Sequence, residues 1–402
     1  MSDWLEKKVK ELCIIGRGRV ISQDEINSNP GIYPVFSSQT ANNGEMGKIE
    51  TFDFEGEYVT WTTDGANAGT VFYRSGRFNC TNVCGTLKEK ENDSLDLQFF
   101  SYLLSTEAKK HVSYIGNPKL MNGVMAEVKL NLPKDKPEQT RIAEILSTAD
   151  EAIAHTEALI AKYQRIKTGL MQDLLTRGID ENGNIRSKAT HKFVVKNGIE
   201  APEEWEVVEL SSLVGNDSPI VYGILMPGYG YENGIPVVKV KDIRDEQILL
   251  NDLLLTSPEI AKSYERSSLK QGDLLFTIRG TVGRCAFVPK ELDGANITQD
   301  TARIRVSGIS PLFLRFCFEL EFLKRYIDLH TIGQAVKGIN LKDLRKMPIP
   351  KPILNESDII AQKINSIQNI IDSLNSNLLK LQSLKTGLMQ DLLSGKVRVN
   401  IN

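Results

Sequence analysis

The stretch KTGLMQDLL stands at residues 167–175 and again, letter for letter, at residues 385–393, 218 positions on (385 less 167). An identical nonapeptide at that distance constrains the chain more than any other feature, because it supplies an internal offset against which the rest can be laid. At the same offset the preceding residues keep a pattern rather than letters. Residues 138–175 read EQTRIAEILSTADEAIAHTEALIAKYQRIKTGLMQDLL, with apolar or small residues at Ile142, Leu146, Ala149, Ile153, Ile160, Tyr163, Leu170 and Leu174. This is the alternating four-three spacing of a heptad seam. Adding 218 gives Ile360, Ile364, Ile367, Ile371, Leu378, Leu381, Leu388 and Leu392. Thr156 and Leu374 continue the seam, and Lys167 and Lys385 interrupt it at the same place.

The offset also links what precedes each helix. GEYVTWTTDGANAGTVFY from Gly56 is matched by GDLLFTIRGTVGRCAFV from Gly272, and FNCTN (78–82) by ANITQ (295–299). Runs of β-branched and aromatic residues broken by glycine predict β-hairpins in both places. Each is followed by a helical stretch, DLQFFSYLLSTEAKKHV or PLFLRFCFELEFLKRYIDL, and by a proline-punctuated exit, LNLPKDKPEQ or MPIPKPILNES. The halves open alike, with DWLEKKVKEL around Trp4 and EWEVVELSSL around Trp205. The predicted plan is a globular α/β domain at 1–135, a helical region at 136–178, a polar linker at 179–203, a second α/β domain at 204–352, a second helical region at 353–395 and a tail at 396–402. A helix over 138–175 spans about 57 Å at ~1.5 Å per residue. Two such seams are expected to pack on each other as an antiparallel coiled coil, giving an α+β fold with a pseudo-twofold internal duplication.

Composition removes whole classes of protein. With 41% hydrophobic and 25% charged residues, the 402-residue chain has the make-up of a globular protein, and its length suits two or three domains. No apolar run reaches the roughly 18 to 20 residues that cross a bilayer. Five scattered cysteines, Cys13, Cys80, Cys84, Cys285 and Cys317, argue for a reducing compartment without a disulfide framework, so a cytoplasmic protein is expected. Lys and Arg (49) nearly balance Asp and Glu (51), giving a formal net charge of −2. A DNA reader of this composition must gather its basic residues on one face or borrow a basic partner.

The order of elements, the helix starts EQTRIAEIL and ESDIIAQKI, the duplicated ends KTGLMQDLLTRG and KTGLMQDLLSG, and YPVFSSQTANNGEMG in the first domain resemble the specificity subunit of Type I restriction-modification enzymes. The resemblance covers nearly the whole chain. It implies a non-catalytic subunit with two target-recognition domains, each reading half of a split double-stranded DNA sequence. It implies two helical regions that set the distance between the half-sites, at most roughly 17 base pairs for such a helix, and that dock two methyltransferase subunits. S-adenosylmethionine, ATP and Mg2+ are then expected on partner subunits, including restriction and translocation subunits, with no cofactor, metal or membrane bound by this chain. A coiled-coil scaffold with protein-binding ends is the alternative from another class.

Base edges are read by amides and guanidinium forks, phosphates by hydroxyls and amines. The DNA-binding candidates in the first domain are Arg17, Arg19, Ser37, Ser38, Gln39, Asn42, Asn43, Thr62, Thr63, Asp64, Lys119 and Asn122. The second domain offers Tyr222, Lys239, Lys241, Arg279, Thr281, Asn296, Gln299, Lys337 and Asn340. The partner-binding candidates are the nonapeptide positions Lys167, Gly169, Leu170, Gln172 and Asp173, with Lys385, Gly387, Leu388, Gln390 and Asp391. A leucine-rich helix end is ordinarily core, but core preserves pattern rather than letters, and a mid-helix glycine is best explained by close approach of another backbone. A recent duplication also leaves identical letters.

Enzymatic chemistry is poorly supported. No stretch resembles the adenine-methyltransferase motif of Asn or Asp, two prolines and an aromatic; Asn117 is followed by a single proline. GRGR (16–19) has neither GxGxxG nor Walker spacing, and reads as a flexible basic loop or a solvated turn. Cys80 and Cys84 have no second cysteine or histidine pair for zinc and read as packing thiols. His111, His155, His191 and His330 are dispersed, with His155 expected in solvent on the first helix.

Overall fold

The structure, a computed structural model, describes residues 4–90, 94–228, 230–334 and 336–400. Tyr229, Asp3 of the opening motif and the last two residues of the tail lie outside the described residues. The two seams become two helices, Lys136–Arg177 and Leu354–Leu392. Every seam residue is buried or half-buried, and His155 is exposed.

The compact units cut across the sequence order. One joins Met1–Leu159 to Leu374–Asn402 and the other is Ile160–Ser373. The boundary falls inside both helices, so the end of each helix belongs with the globular domain of the other half. No proline or glycine marks such a boundary, because the helices run through it unbroken.

In the first unit, Trp4–Lys8 pairs antiparallel with Lys129–Pro133 and ties the start of the domain to its exit. Between them lies an antiparallel sheet in the order Cys13–Arg17, Cys84–Glu89, Tyr58–Thr62, Val71–Arg74. The last two strands are the predicted hairpin. Helix Leu97–Glu107, started by the Asp96 carboxylate accepting from Phe99 N at 2.8 Å, packs Phe99, Phe100, Leu103 and Leu104 against Val59, Trp61 and Leu87. A second sheet runs Glu45–Ile49, Pro30–Phe36, Arg77–Cys80, Phe54–Glu55, with Val35 and Asn79 in a parallel pair. Cys80 and Cys84 are buried with Phe36 and Phe78, as packing thiols should be. Ile142, Ala143 and Leu146 of the first helix, with Leu392 and Leu393 of the second, complete the main core. These helix segments are antiparallel: Glu138 meets Arg398 and Asp150 meets Lys385, each pair at 2.5 Å.

The second unit repeats the plan. Glu206–Glu209 pairs antiparallel with Pro348–Lys351. The main sheet runs Val221–Tyr222, Thr301–Ile304, Leu274–Thr277, Cys285–Phe287. The smaller one, Leu254–Thr256, Ile235–Val238, Asn296–Ile297, again contains a parallel pair, Val237 with Asn296. The single helical stretch expected at 311–329 is instead two helices, Pro311–Cys317 and Glu321–His330, broken where buried Leu320 takes an extended backbone. Met171, Leu174 and Leu175 of the first helix share this unit's core with Ile360, Ala361 and Ile364 of the second.

Each unit is closed by the same device. In the second unit the first helix ends at Gly178, whose φ of +65° a side chain would resist. A Cβ there would sit 2.3 Å from Glu356 Oε1 and 2.4 Å from the Trp205 ring. The chain then returns so that Arg186 Nη1 reaches Glu356 at 2.5 Å, while Trp205 Nε1 and Ile179 N donate to the same carboxylate at 3.1 and 3.0 Å. In the first unit the second helix ends before Gly395 (φ +71°), whose Cβ would lie 3.0 Å from Trp4, and Arg398 donates twice to Glu138, at 2.5 and 2.7 Å. The nonapeptide leads into this closure both times. Burying a leucine is worth roughly 1.5–3 kcal/mol and a half-exposed ion pair at most about 1 kcal/mol, so the leucine pairs, rather than the lysines, anchor each copy.

Candidate nucleic-acid interface

In the first unit the hairpin of Tyr58–Thr62 and Val71–Arg74 brings candidate residues together from four separate stretches. Arg17, at the end of its strand, donates to Asn82 O and lies 3.5 Å from Asp64. Asp64 pairs backbone to backbone with Lys119 and lies 3.9 Å from its ammonium. Asn122 Nδ2 reaches Gly16 O at 3.2 Å. One carboxylate thus holds two cations at a surface, which organises them without removing them from solvent. The Ser37–Asn43 loop is adjacent: Asn67 of the hairpin donates to Ser38 O at 3.4 Å, and Gln39 Nε2 to Glu45 O at 2.5 Å. Asn42 and Asn43 both take left-handed backbone, φ 48° and 52°, with exposed side chains.

Arg74, which no sequence pattern singles out, supports that loop. It is buried, lies 3.6 and 4.4 Å from the rings of Phe36 and Phe72, and donates to Asn43 O at 2.8 Å. Burial pushes its guanidinium down to about 10, which leaves it a cation at neutral pH. Its partners are 31 and 38 residues away in the chain (74 less 43; 74 less 36), a separation no local pattern reports.

In the second unit Tyr222, Arg279, Gln299 and Asn340 line one cleft of about 520 Å³ together with Ile332 and Val336. Arg279 pairs through its backbone with Gly338 and lies 3.7 Å from Asp300, and Gly280 N donates to Lys337 O at 2.8 Å. The backbone pairing of Arg279 with Gly338 is the counterpart of that of Asp64 with Lys119. Different side chains therefore stand on matching frames.

Several expected positions stand elsewhere. Thr62, Thr63 and Asn296 are buried and need correcting as DNA contacts. Thr62 Oγ1 is held by Asn67 O and Thr70 N, Thr63 Oγ1 donates to Asp64 at 2.8 Å, and Asn296 is engaged by Ser267, Tyr264 and Ile297. Arg19 is exposed but ion-paired with Glu25 and Asp53, at 2.7 and 3.0 Å, and the Glu25 hydrogen bond holds its protonation firmly. GRGR is not a free loop either: Gly18 N donates to Cys84 O and Arg19 N to Cys80 O, at 3.0 and 3.1 Å. Lys241 and Thr281 line a different cleft of about 1060 Å³, beside Arg284 and Lys324. Lys239 stands next to it in sequence, its backbone N–H donating to Asp242 at 2.9 Å.

The nonapeptide residues split by face. Leu170 and Leu388 pack partly against the cores. Lys167 lies 3.6 Å from Glu319 and over the Phe316 ring, and Lys385 meets Asp150 and the Tyr102 ring. Asp173 pairs with Arg177 at 2.8 Å and Asp391 with Lys396 at 3.0 Å, while Gln172 and Gln390 are exposed. At Gly169 and Gly387 no described residue of the chain comes close: a Cβ on either would meet nothing within 4 Å.

The chain is thus a duplicated α/β domain with a polar edge on each copy, each copy completed by the ends of two long helices. The chain belongs to the family described as the Type I restriction modification DNA specificity domain, whose sequence model matches residues 1–165 and 202–383. The specificity subunit of the Type I restriction enzyme MpnII from Mycoplasma pneumoniae is 49% identical over 140 residues, 35% of this chain and 42% of that protein. The EcoBI specificity subunit of Escherichia coli is 24% identical over 415 residues, 98% of this chain and 85% of its own. A crystal structure of the Type I restriction-modification S subunit from M. genitalium superposes with a TM-score of 0.65 at 15% identity, over 97% of this chain and 96% of that one, a likeness of fold. Among the described residues no helix is long and apolar enough to cross a membrane.

Proposed function

We propose that this specificity subunit reads an asymmetric, bipartite double-stranded DNA target, one half-site per globular domain, and docks two methyltransferase subunits on its helical regions. The observation that carries the reading is the pair of matching frames with different side chains: Arg17, Asp64 and Lys119 on one, Tyr222, Arg279 and Lys337 on the other. Equal frames suit a common way of approaching DNA, and unequal side chains suit unequal half-sites. The chain supplies address and scaffold in the cytoplasm, without chemistry of its own. S-adenosylmethionine stays with the methyltransferases, and ATP and Mg2+ with restriction and translocation subunits. A net charge of −2 goes with weak, salt-sensitive DNA binding by the isolated chain and tighter binding in the complex.

Methylome sequencing with and without the gene tests this. A split methylated motif should vanish on deletion. Unchanged methylation, with no methyltransferase recovered on the tagged chain, removes the proposal in favour of a protein-binding scaffold. Inserting or deleting about four residues, near one helical turn, in one long helix should change the gap between half-sites and leave their letters intact.

A further inference from the structure

The reading hairpins of the two units match bond for bond at their turns. The Thr62 and Thr277 hydroxyls accept from Thr70 N and Arg284 N at 3.1 and 2.9 Å, and the carbonyls of the same threonines accept from Gly69 N and Gly283 N at 2.8 and 2.9 Å. Gly65 N and Gly280 N donate across to Pro118 O and Lys337 O at 3.0 and 2.8 Å, and both glycines take left-handed backbone, φ +87° and +79°. The residue before that glycine, Asp64 or Arg279, therefore stands at one backbone position. Two strands across the sheet the match holds again: a Cβ on Gly18 would fall 2.1 Å from Cys80 O, and one on Gly223 1.8 Å from Ile297 O. The residues before those glycines, Arg17 and Tyr222, are equivalent too.

The two frames differ in what their side chains are left free to do. In the first unit Arg17 is engaged: Nε donates to Asn82 O, and Nη2 lies 3.5 Å from both Thr63 Oγ1 and Asp64. In the second unit the cation stands on the turn instead, and Tyr222 occupies the place of Arg17. The Arg279 guanidinium donates no hydrogen bond among the described residues, and its side chain is 57% exposed. Asp300, 3.7 Å away, is beyond hydrogen-bonding reach and orients it by charge alone. A planar fork of five donors is thus held open in the cleft of about 520 Å³. The walls of the cleft select the acceptor. Arg279 is the one charged side chain among the described residues that line it, beside Tyr222, Gln299, Ile332 and Val336. A phosphate seat gathers several cations, whereas a lone fork beside an amide and apolar walls suits the base edges and methyl groups of a groove. Among those edges, guanine presents the paired acceptors O6 and N7 that a guanidinium fork fits.

We propose that Arg279 fixes one letter of the second half-site, donating both arms of its fork to O6 and N7 of a guanine in the major groove. This rests on the DNA reading proposed above. The equivalent Asp64 accepts from Thr63 and faces two cations, and a carboxylate donates to no base, so the same position reads no guanine in the first half-site.

Binding is measured with the chain assembled with its methyltransferase on the duplex target that the methylome defines, each guanine of the second half-site being replaced in turn by 7-deazaguanine, which pairs normally but lacks the N7 acceptor. For the wild-type complex, one such replacement should weaken binding roughly tenfold. Arg279→Ala should bind the unmodified target about tenfold more weakly and no longer distinguish guanine from 7-deazaguanine at that position, while keeping every other preference in both half-sites. Arg279→Gln should turn the preference at that single letter toward adenine, whose N6 and N7 suit an amide, a change of letter that mere damage to the cleft would not produce. A wild type indifferent to 7-deazaguanine throughout the half-site overturns the assignment and leaves the reading standing. Three variant results overturn it in the same way: Arg279→Ala weakening all sequences equally with the 7-deazaguanine penalty intact, as a phosphate contact would; Arg279→Ala blurring every letter of the half-site at once; or Arg279→Gln still demanding guanine. If the wild-type complex binds no sequence specifically, reading and assignment fall together.

Discussion

The two closures of the chain use the same residue types at different depths. Arg186 and Glu356 are 10% and 9% exposed, and the carboxylate also accepts from Trp205 and Ile179. Glu138 is as deeply placed at 3%, but its partner Arg398 is 46% exposed. A buried pair adds little net stability over apolar packing, yet breaking it by removing one partner is expensive because the other charge stays dry. The second unit should therefore be the brittle one, and its closure the better place to injure it.

The largest contrast is expected from the acids. Glu356→Ala leaves Arg186 buried and three donors without their acceptor, and should cost about 3–5 kcal/mol in the second unit. Glu138→Ala removes a buried acid from a guanidinium that already reaches water, and should cost roughly 2 kcal/mol in the first. Urea unfolding followed by hydrogen exchange in each unit measures both. Equal losses would show that depth does not govern the closure. The glycines come next. Gly178→Ala combines left-handed strain with a collision against Glu356 and Trp205, about 3 kcal/mol. Gly395→Ala carries the strain with only a tight contact on Trp4, about 1–2 kcal/mol.

The helices and hairpins could be read from the sequence because each repeats a short period, 3.5 residues for Ile142 to Leu174 and two for Tyr58 to Thr62. Which domain a helix end completes could not. Leu174 and Leu175 look the same in sequence as Leu392 and Leu393, and their partners lie a domain away. The candidate edges were partly legible for a similar reason. Residue chemistry picked out Arg17, Lys119, Arg279 and Asn340, and the fold gathers them within their units. Chemistry alone says nothing of depth, so Thr62, Thr63 and Asn296 read as contacts although they face inward. Arg74 was missed because its role is defined by Phe36, Phe72 and the Asn43 carbonyl, contacts made only after folding.

The lysines offer a smaller contrast between the identical nonapeptides. Lys385 meets Asp150 at 2.5 Å and Lys167 lies 3.6 Å from Glu319. Both pairs are partly exposed, so Lys385→Met should cost up to about 1 kcal/mol and Lys167→Met less, in thermal unfolding at low salt. The difference should shrink as salt rises. A larger loss at Lys167 would mean that its position over Phe316, rather than the ion pair, is what matters.

The smallest effect separates the chain's own needs from a partner's. Gly169 and Gly387 sit in helix interiors with open space where a Cβ would go, so alanine should stabilise each helix by about 0.5–1 kcal/mol. Nothing among the described residues accounts for glycine at either place. If a methyltransferase backbone closes on these positions, Gly169→Ala and Gly387→Ala will raise the unfolding temperature of the isolated chain and at the same time weaken recovery of the partner. If the stabilised variants recover the partner as well as wild type, the shared glycine is a relic of the duplication, and the docking surface has to be sought on the other exposed positions of the nonapeptide, beginning with Gln172 and Gln390.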